Sequence, residues 1–267
     1  MFLDERTTLD LSRRELAVVP AWVWERSDLE TLFLGWNRLR EVPSSIDRLT
    51  ELTHLYVHDN VLTSVPDELC RLHELRVLDL SHNPHVRSLP EGLGELANLE
   101  FLYTADQALE RLPASLGRLR SLIYLNAGDN RIESLPDECT QLCSLRELRL
   151  QANKITRLPE SLGALTQLRE LHLDANQLTA LPDSIGALTE LRVLSLRGNR
   201  LTTVPRSIGA LTRLQVLDLR SNCVETLPEE IAQLPSLDKL DLRWNRWSAV
   251  VPDWLRPLVD RAVSIYL

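Results

Sequence analysis

Leucines recur in a fixed pattern along almost the whole chain. One stretch places apolar residues at Leu168, Leu171, Leu173 and Leu178, with polar residues between them. The alternation of Leu171 and Leu173 with polar neighbours has a period of two, which predicts a short strand with one buried face. The same spacing returns about every 23 residues. The pattern therefore predicts eleven parallel strands, one from each repeat.

Prolines mark the same period. Eleven of the fourteen prolines follow Leu or Val and lie 23 or 24 residues apart. They are Pro20, Pro43, Pro66, Pro90, Pro113, Pro136, Pro159, Pro182, Pro205, Pro228 and Pro252. An Asn, or in one unit Gln107, precedes ten of them by six or seven residues. We expect the Asn side chains to bind backbone groups of neighbouring repeats, and each Pro to begin a return segment with a short helical turn.

Residues 168–188 read LxxLxLxxNxLxxLPxxIxxL. This motif resembles the 23-residue class of leucine-rich repeat proteins, and it covers nearly the entire chain. The resemblance implies an α/β fold: a leucine-rich repeat solenoid shaped as a curved horseshoe, with parallel strands on the concave face and short helical or irregular turns on the convex face. A stack of repeats buries leucines that one repeat cannot bury alone. We expect one domain over residues 1–267, with about eleven units, an N-terminal cap within 1–28 and a C-terminal cap at 253–267.

Aromatic residues gather on the predicted inner face of units two to six. Five of the seven Phe and Tyr residues of the chain point there, whereas units seven to eleven have none in the same columns. Clustered exposed aromatics are typical of contact surfaces. The alternative is that aromatic side chains suit exposed strands and stack across them for stability. The predicted partner-binding residues, with two carboxylates for charge selectivity, are Phe33, Trp36, Tyr56, Asp79, Phe101, Tyr103, Asp106 and Tyr124.

The repeat is irregular in the same region. Thr104 and Ala127 replace the second strand leucine, and Gln107 replaces the Asn. Such departures are typical of functional sites, although a long stack also tolerates drift.

Charged residues occupy the remaining columns. In the C-terminal half Arg197, Arg220 and Arg243 form one column, and Asp218 and Asp241 precede two of them, which favours local pairing over an acidic docking site. Near the aromatic residues, carboxylates and one imidazole precede the Asn column. We expect no metal ion there, but the sequence leaves this question open for Asp59, His82, Asp106 and Asp129.

Composition and motifs restrict the function. The net charge of −8 argues against nucleic acid or an anionic membrane as a general partner. The N-terminal residues do not form a signal peptide, and the four cysteines lack coordinated spacing, so we expect a cytoplasmic protein. Gly-rich phosphate loops, CxxC pairs and HExxH are missing from the sequence. We predict a protein that is not an enzyme, is monomeric and needs no cofactor, with Cys139 as a small core residue.

The chain looks like intracellular leucine-rich repeat proteins of Ras-type signalling and like bacterial stand-alone repeats. This resemblance implies a scaffold or adaptor that binds a protein partner on the concave face. One alternative is a recognition module that acts with a separate enzyme, as in bacterial effector ubiquitin ligases, although this chain has no residues left for a catalytic domain. The other alternative is a secreted recognition protein, which the missing signal peptide disfavours.

Overall fold

A single parallel sheet organises the molecule. The computed structural model describes residues 6–246 and 252–267. In these ranges twelve strands of three residues each lie side by side in chain order. They are Thr8–Asp10 (β1), Thr31–Phe33 (β2), His54–Tyr56 (β3), Val77–Asp79 (β4), Phe101–Tyr103 (β5), Tyr124–Asn126 (β6), Glu147–Arg149 (β7), Glu170–His172 (β8), Val193–Ser195 (β9), Val216–Asp218 (β10), Lys239–Asp241 (β11) and Ser264–Tyr266 (β12). The predicted leucine-rich repeat solenoid is confirmed.

Short 3-10 helices form the return segments. In most repeats the helix begins directly after the proline that recurs every 23 or 24 residues. The proline carbonyl accepts the first hydrogen bond of the helix, as at Pro43, where the Ile46 amide donates to it at 3.1 Å. The helices are Ala21–Glu25, Ser44–Arg48, Asp67–Arg71, Glu91–Glu95, Ala114–Arg118, Asp137–Gln141, Leu162–Ala164, Asp183–Ala187, Arg206–Ala210, Glu229–Gln233 and Asp253–Leu255. One α-helical segment, Arg256–Asp260, follows the last of them. Proline therefore marks where most of the return helices start.

Leucine lies against leucine inside two compact units, Met1–Arg131 and Ile132–Leu267. In the N-terminal unit the strand register pairs Leu32 with Leu55. In the C-terminal unit it pairs Leu171 with Leu194. These four side chains are completely buried. Because consecutive strands within each unit keep the same register, each repeat adds its leucines to a column of the core of that unit.

The Asn side chains hold neighbouring repeats together. The Asn60 amide donates to the carbonyls of Val57, at 3.0 Å, and Leu34, at 2.9 Å, while its oxygen accepts from the Leu39 amide at 2.9 Å. The same arrangement recurs at Asn176. One buried side chain thus satisfies donors and acceptors that the short strands leave unpaired. The predicted role of the Asn column is confirmed.

The C-terminal cap contributes a strand that the repeat pattern did not predict. We predicted eleven strands, but β12 pairs in parallel with β11 and places Ile265 beside Leu240. The prediction of eleven was wrong because residues 253–267 lack the repeat motif, whereas an open sheet edge accepts any extended segment. Leu255 and Leu258 are buried and attach this cap to the core. The first five residues of the predicted N-terminal cap lie outside the described residues.

Helices in the described ranges are three to five residues long. None of them combines the length and the apolar character that a membrane span requires.

Candidate functional site

Six predicted contact residues form what we call the aromatic surface. It consists of Phe33, Trp36, Tyr56, Phe101, Tyr103 and Tyr124. All six belong to the N-terminal unit, on β2, β3, β5 and β6 or, for Trp36, in the turn after β2. Trp36 is 47% exposed, and the other five side chains are half-buried. The five strand residues stand on the solvent side of the sheet because each neighbours a leucine that points into the core.

The first part of the aromatic surface is a stack across β2 and β3. The rings of Phe33 and Tyr56 are parallel to within 7°, with centroids 4.7 Å apart. Beside them the Trp36 indole meets the His58 imidazole edge-on at 4.3 Å, and the Arg13 guanidinium lies 4.4 Å from the Trp36 ring. These contacts hold the rings in defined positions while Phe33 and Tyr56 remain partly exposed.

The second part lies on β5 and β6. Tyr124 contacts two rings of the neighbouring strand, with its centroid 4.9 Å from that of Tyr103 and 6.4 Å from that of Phe101. Both distances fall within the range of favourable aromatic pairs. The stacking predicted by the alternative interpretation therefore occurs, and it also organises the rings as rigid, half-exposed side chains.

A carboxylate separates the two aromatic parts. The strand register places Asp79 between Tyr56 and Tyr103 in one column. Its Oδ1 accepts a hydrogen bond from the Ser81 amide at 3.0 Å, which fixes the orientation of the carboxyl group. Burial, followed by the charge of Asp79, raises the pKa of Tyr56. The centre of the surface is therefore acidic and is bordered by rings on both sides.

The turns after β3, β4 and β5 carry two imidazole–carboxylate pairs. His58 Nδ1 lies 3.0 Å from Asp59 Oδ2, and His82 Nδ1 lies 2.9 Å from Asp106 Oδ2. The hydrogen bond with Asp106 raises the pKa of His82. Asp59, His82, Asp106 and Asp129 all have positive φ, between 52° and 56°. The sequence left a metal site open for these four residues. In the structure Asp59 pairs with His58, His82 pairs with Asp106, and Asp129 is exposed on its turn.

A different group of metal-binding side chains converges in the C-terminal unit. Glu147, Glu170 and His172 each offer one ligand atom, and these atoms lie within 4.8 Å of one another. Sequence reasoning named none of the three as site residues. The repeat register could have found them. It aligns Glu147 with Glu170 on neighbouring strands, and His172 lies two residues after Glu170 on the same strand.

The irregular repeat is accommodated by local hydrogen bonds. Thr104, completely buried at a leucine position, donates through its hydroxyl to the Asn126 carbonyl at 3.1 Å. Gln107 donates to the Leu80 carbonyl at 2.6 Å, but its Oε1 is buried without a hydrogen-bond partner. In a regular repeat the Asn oxygen accepts a hydrogen bond from an amide of the preceding repeat. Here the corresponding amide, that of Val86, donates instead to the Asn83 carbonyl within the longer unit. The longer unit therefore satisfies the Val86 amide by itself, and the Gln107 oxygen is left unpaired.

The C-terminal unit pairs its charges locally, as the alternating signs indicated. Asp241 is completely buried, and its carboxylate meets Arg243 at 2.7 Å, Arg220 at 3.4 Å and Lys239 at 3.7 Å. Asp218, 6% exposed, binds Arg220 at 2.5 Å. Burial alone would raise the pKa of Asp241, but the hydrogen bonds from Arg243 and the charges of Arg243 and Arg220 hold it below its ordinary value.

Two other features of the described residues lie apart from the aromatic surface. A groove of about 600 Å³ is lined by residues 134–137 and 157–161 and contains none of the predicted contact residues. Cys139 is buried, as predicted, and burial raises the pKa of its thiol to about 12, so this thiol is not a nucleophile at neutral pH.

Family models match most of the chain. A model described as a leucine-rich repeat region matches residues 63–181, and a model described as a leucine rich repeat matches residues 166–213 and 189–246. The comparison with curated proteins gave no significant match.

Solved structures of similar fold cover nearly all of the chain. A leucine-rich repeat protein of Leptospira interrogans is 30% identical with a TM-score of 0.66, and the match covers 95% of this chain and 76% of that one. The plant peptide hormone receptor RGFR1, solved in complex with RGF2, is 31% identical with a TM-score of 0.84. That match covers 93% of this chain but only 41% of the receptor chain. The internalin InlF of Listeria monocytogenes, 21% identical with a TM-score of 0.71, shares the fold over 97% of this chain and 86% of that one.

Proposed function

Since the chain belongs to the leucine-rich repeat family, we propose that it binds a protein partner through the aromatic surface of its N-terminal unit. The observation that carries the proposal is two ring pairs, the stacked Phe33 and Tyr56 and the tilted Tyr103 and Tyr124. Half-exposed rings held by stacking lose little conformational freedom when a partner covers them. They are the side chains that most often dominate the affinity of an interface.

The chemistry of the surface favours one kind of partner segment. Asp79 lies between the two ring pairs, and Asp106 adds a second carboxylate in the turn after β5. Two strand spacings separate Tyr56 from Tyr103, about 10 Å, which three residues of an extended chain span. The proposed partner is therefore an extended segment with apolar side chains on either side of a basic one. The solved complex of the plant peptide hormone receptor RGFR1 with RGF2 supports a peptide or protein partner in general.

We assign the interaction to a cytoplasmic scaffold or adaptor, with a role in intracellular signalling. Support comes from Cys70 and Cys139, which are free thiols buried in the core. Free thiols of this kind are usual in reducing compartments. In this proposal the chain presents its partner to other proteins and acts as a monomer, without catalysis of its own.

Affinity capture from native cells followed by calorimetry with the captured partner tests the proposal. Each ring truncation at Tyr56, Phe101 or Tyr103 to Ala is expected to cost about 1–2 kcal/mol in binding, roughly a 5- to 30-fold loss. The reason is that these rings lie outside the leucine core and serve the contact. Folding, followed by circular dichroism, should change little.

The control truncates half-buried side chains at the first strand position of the C-terminal unit, the position that Phe101 holds on β5: Val193→Ala with Val216→Ala. This variant should bind as the wild type does. If a triple Tyr56, Phe101 and Tyr103 to Ala variant retains the partner while the valine variant loses it, the contact surface lies in the C-terminal unit.

A further inference from the structure

We propose that Glu147, Glu170 and His172 form a binding site for Zn²⁺ on the strand face of the C-terminal unit. Glu147 opens β7, and the register places it directly beside Glu170, which opens β8. His172 closes β8 on the same side of the strand, two residues after Glu170. All three side chains are half-buried, and among the described residues they are the group whose ligand atoms converge within 4.8 Å.

The charges around the three side chains favour a divalent cation. Carboxylates directly opposite each other on neighbouring strands repel, since the strands are about 4.8 Å apart. One guanidinium offsets this: Arg149 Nε donates to Glu147 Oε1 at 2.5 Å. With a neutral imidazole, two carboxylates and one guanidinium leave a net charge of about −1 on the cluster. The Arg149 contact uses one oxygen of Glu147, and the second oxygen of that carboxylate serves a metal ion without breaking it.

The geometry of the nearest two ligand atoms matches a tetrahedral zinc site. Zinc–ligand bonds of about 2.0–2.1 Å place neighbouring ligand atoms roughly 3.3 Å apart. His172 Nε2 and Glu170 Oε2 lie 3.1 Å apart, close to that edge length. Glu147 completes the triangle by rotating about its flexible side chain, for which its partly exposed position leaves room.

The donor set distinguishes zinc from the hard cations. An imidazole nitrogen suits Zn²⁺, whereas Ca²⁺ and Mg²⁺ prefer sites made only of oxygen ligands. Three protein ligands leave a fourth position open for water or for a group from a bound molecule. The site uses none of the residues of the aromatic surface, so it stands or falls independently of the proposed function.

Zinc titration of the full chain tests the proposal. After treatment with a chelator, isothermal titration calorimetry should show one Zn²⁺ per chain, and Co²⁺ should give the absorption spectrum of a four-coordinate site. His172→Ala and Glu170→Gln should each weaken Zn²⁺ binding at least tenfold, because each removes a direct ligand. Glu147→Gln provides a third variant in case one of these fails to fold, which circular dichroism will show.

The matched control is His82→Ala, which removes the imidazole of the His82–Asp106 pair and should leave Zn²⁺ binding unchanged. A wild-type chain that takes up no Zn²⁺ at micromolar concentrations overturns the proposal. The same holds if His172→Ala and His82→Ala bind Zn²⁺ equally, or if the chain prefers Ca²⁺ or Mg²⁺. In those cases His172 and Glu170 form only a hydrogen bond with each other.

Discussion

In the N-terminal unit the strand face carries stacked aromatic rings around Asp79, whereas in the C-terminal unit the same columns carry paired charges such as Asp241 with Arg243. The buried leucines are alike in the two units. The turn after each strand differs as well. The left-handed position before the Asn column is occupied by Arg13, Trp36, Asp59, His82, Asp106 and Asp129 in one unit and by Ala152, Ala175, Gly198, Ser221 and Trp244 in the other.

This difference shows which positions carry the fold and which are free for function. The leucine and Asn columns serve every repeat and so remain nearly invariant along the stack. The solvent side of each strand contributes little to the core, so its composition is set by what it contacts. Where that face is aromatic, the core below it also departs from leucine, at Thr104 and Ala127.

The largest expected effect tests whether the irregular core is as well packed as the regular one. Leu173→Ala removes a completely buried leucine in the C-terminal unit and should lower the free energy of unfolding by about 2–5 kcal/mol. Ala127→Leu at the equivalent position of the N-terminal unit should also destabilise, by about 1–3 kcal/mol, because its surroundings have closed around the smaller side chain. Urea denaturation followed by circular dichroism measures both. A stabilising Ala127→Leu would mean that the irregular repeat contains an unfilled void.

The second prediction concerns the buried charge of the C-terminal unit. Asp241→Asn leaves three cationic side chains around a neutral group and should lower the free energy of unfolding by about 2–3 kcal/mol at pH 7. The effect is not larger because the arginines are partly exposed and solvent screens their charges. The folded-state pKa of Asp241 is below its ordinary value of 3.8, so its contribution is present above pH 3.8 and is lost as the pH falls through the folded pKa. Stability measured from pH 7 down to pH 2 should therefore fall less steeply in Asp241→Asn than in the wild type.

His82 of the N-terminal unit should give stability the opposite pH dependence, which sharpens the contrast between the units. The pKa of His82 is raised above 6.5 by its hydrogen bond with Asp106. Its stabilising contribution is present below pH 6.5 and is lost as the pH rises through the folded pKa. Asp106→Asn should return the pKa of His82 toward 6.5, which an NMR titration of the imidazole protons measures. An unchanged pKa would show that the pair does not form in solution.

The smallest expected effect concerns the turns. Ala152 and Ala175 adopt φ of 52° and 53°, a conformation that costs residues with a Cβ atom about 1 kcal/mol. Ala152→Gly or Ala175→Gly should therefore stabilise by a few tenths to about 1 kcal/mol. Gly198→Ala is the matched reversal: a Cβ there meets the Ala175 Cα at an ordinary 3.5 Å, so its cost is conformational rather than steric. Thermal unfolding that moves in the same direction for both changes would contradict this account.

Local periodicity was sufficient for most of the fold. The leucine spacing predicted β1 to β11, the Asn column predicted the bonds between repeats, and the prolines predicted the start of the return segments. Each of these features depends on residues within one repeat, and each repeat packs on a neighbour of the same pattern. The column alignment also placed the rings of the aromatic surface side by side, because a parallel register with a period of 23 residues leaves no other pairing.

Only the tertiary structure decided which side chains meet across repeats. Residues 264–266 become β12 because β11 offers an open edge, although the cap lacks the repeat motif. The side chain of Asp106 reaches His82 of the preceding turn, and Glu147 and Glu170 converge with His172, because rotamers and left-handed turns orient polar groups that periodicity leaves undefined. Buried leucines need only the correct spacing, since the hydrophobic effect is non-directional, whereas hydrogen bonds and metal ligands need atoms placed to within a few tenths of an ångström.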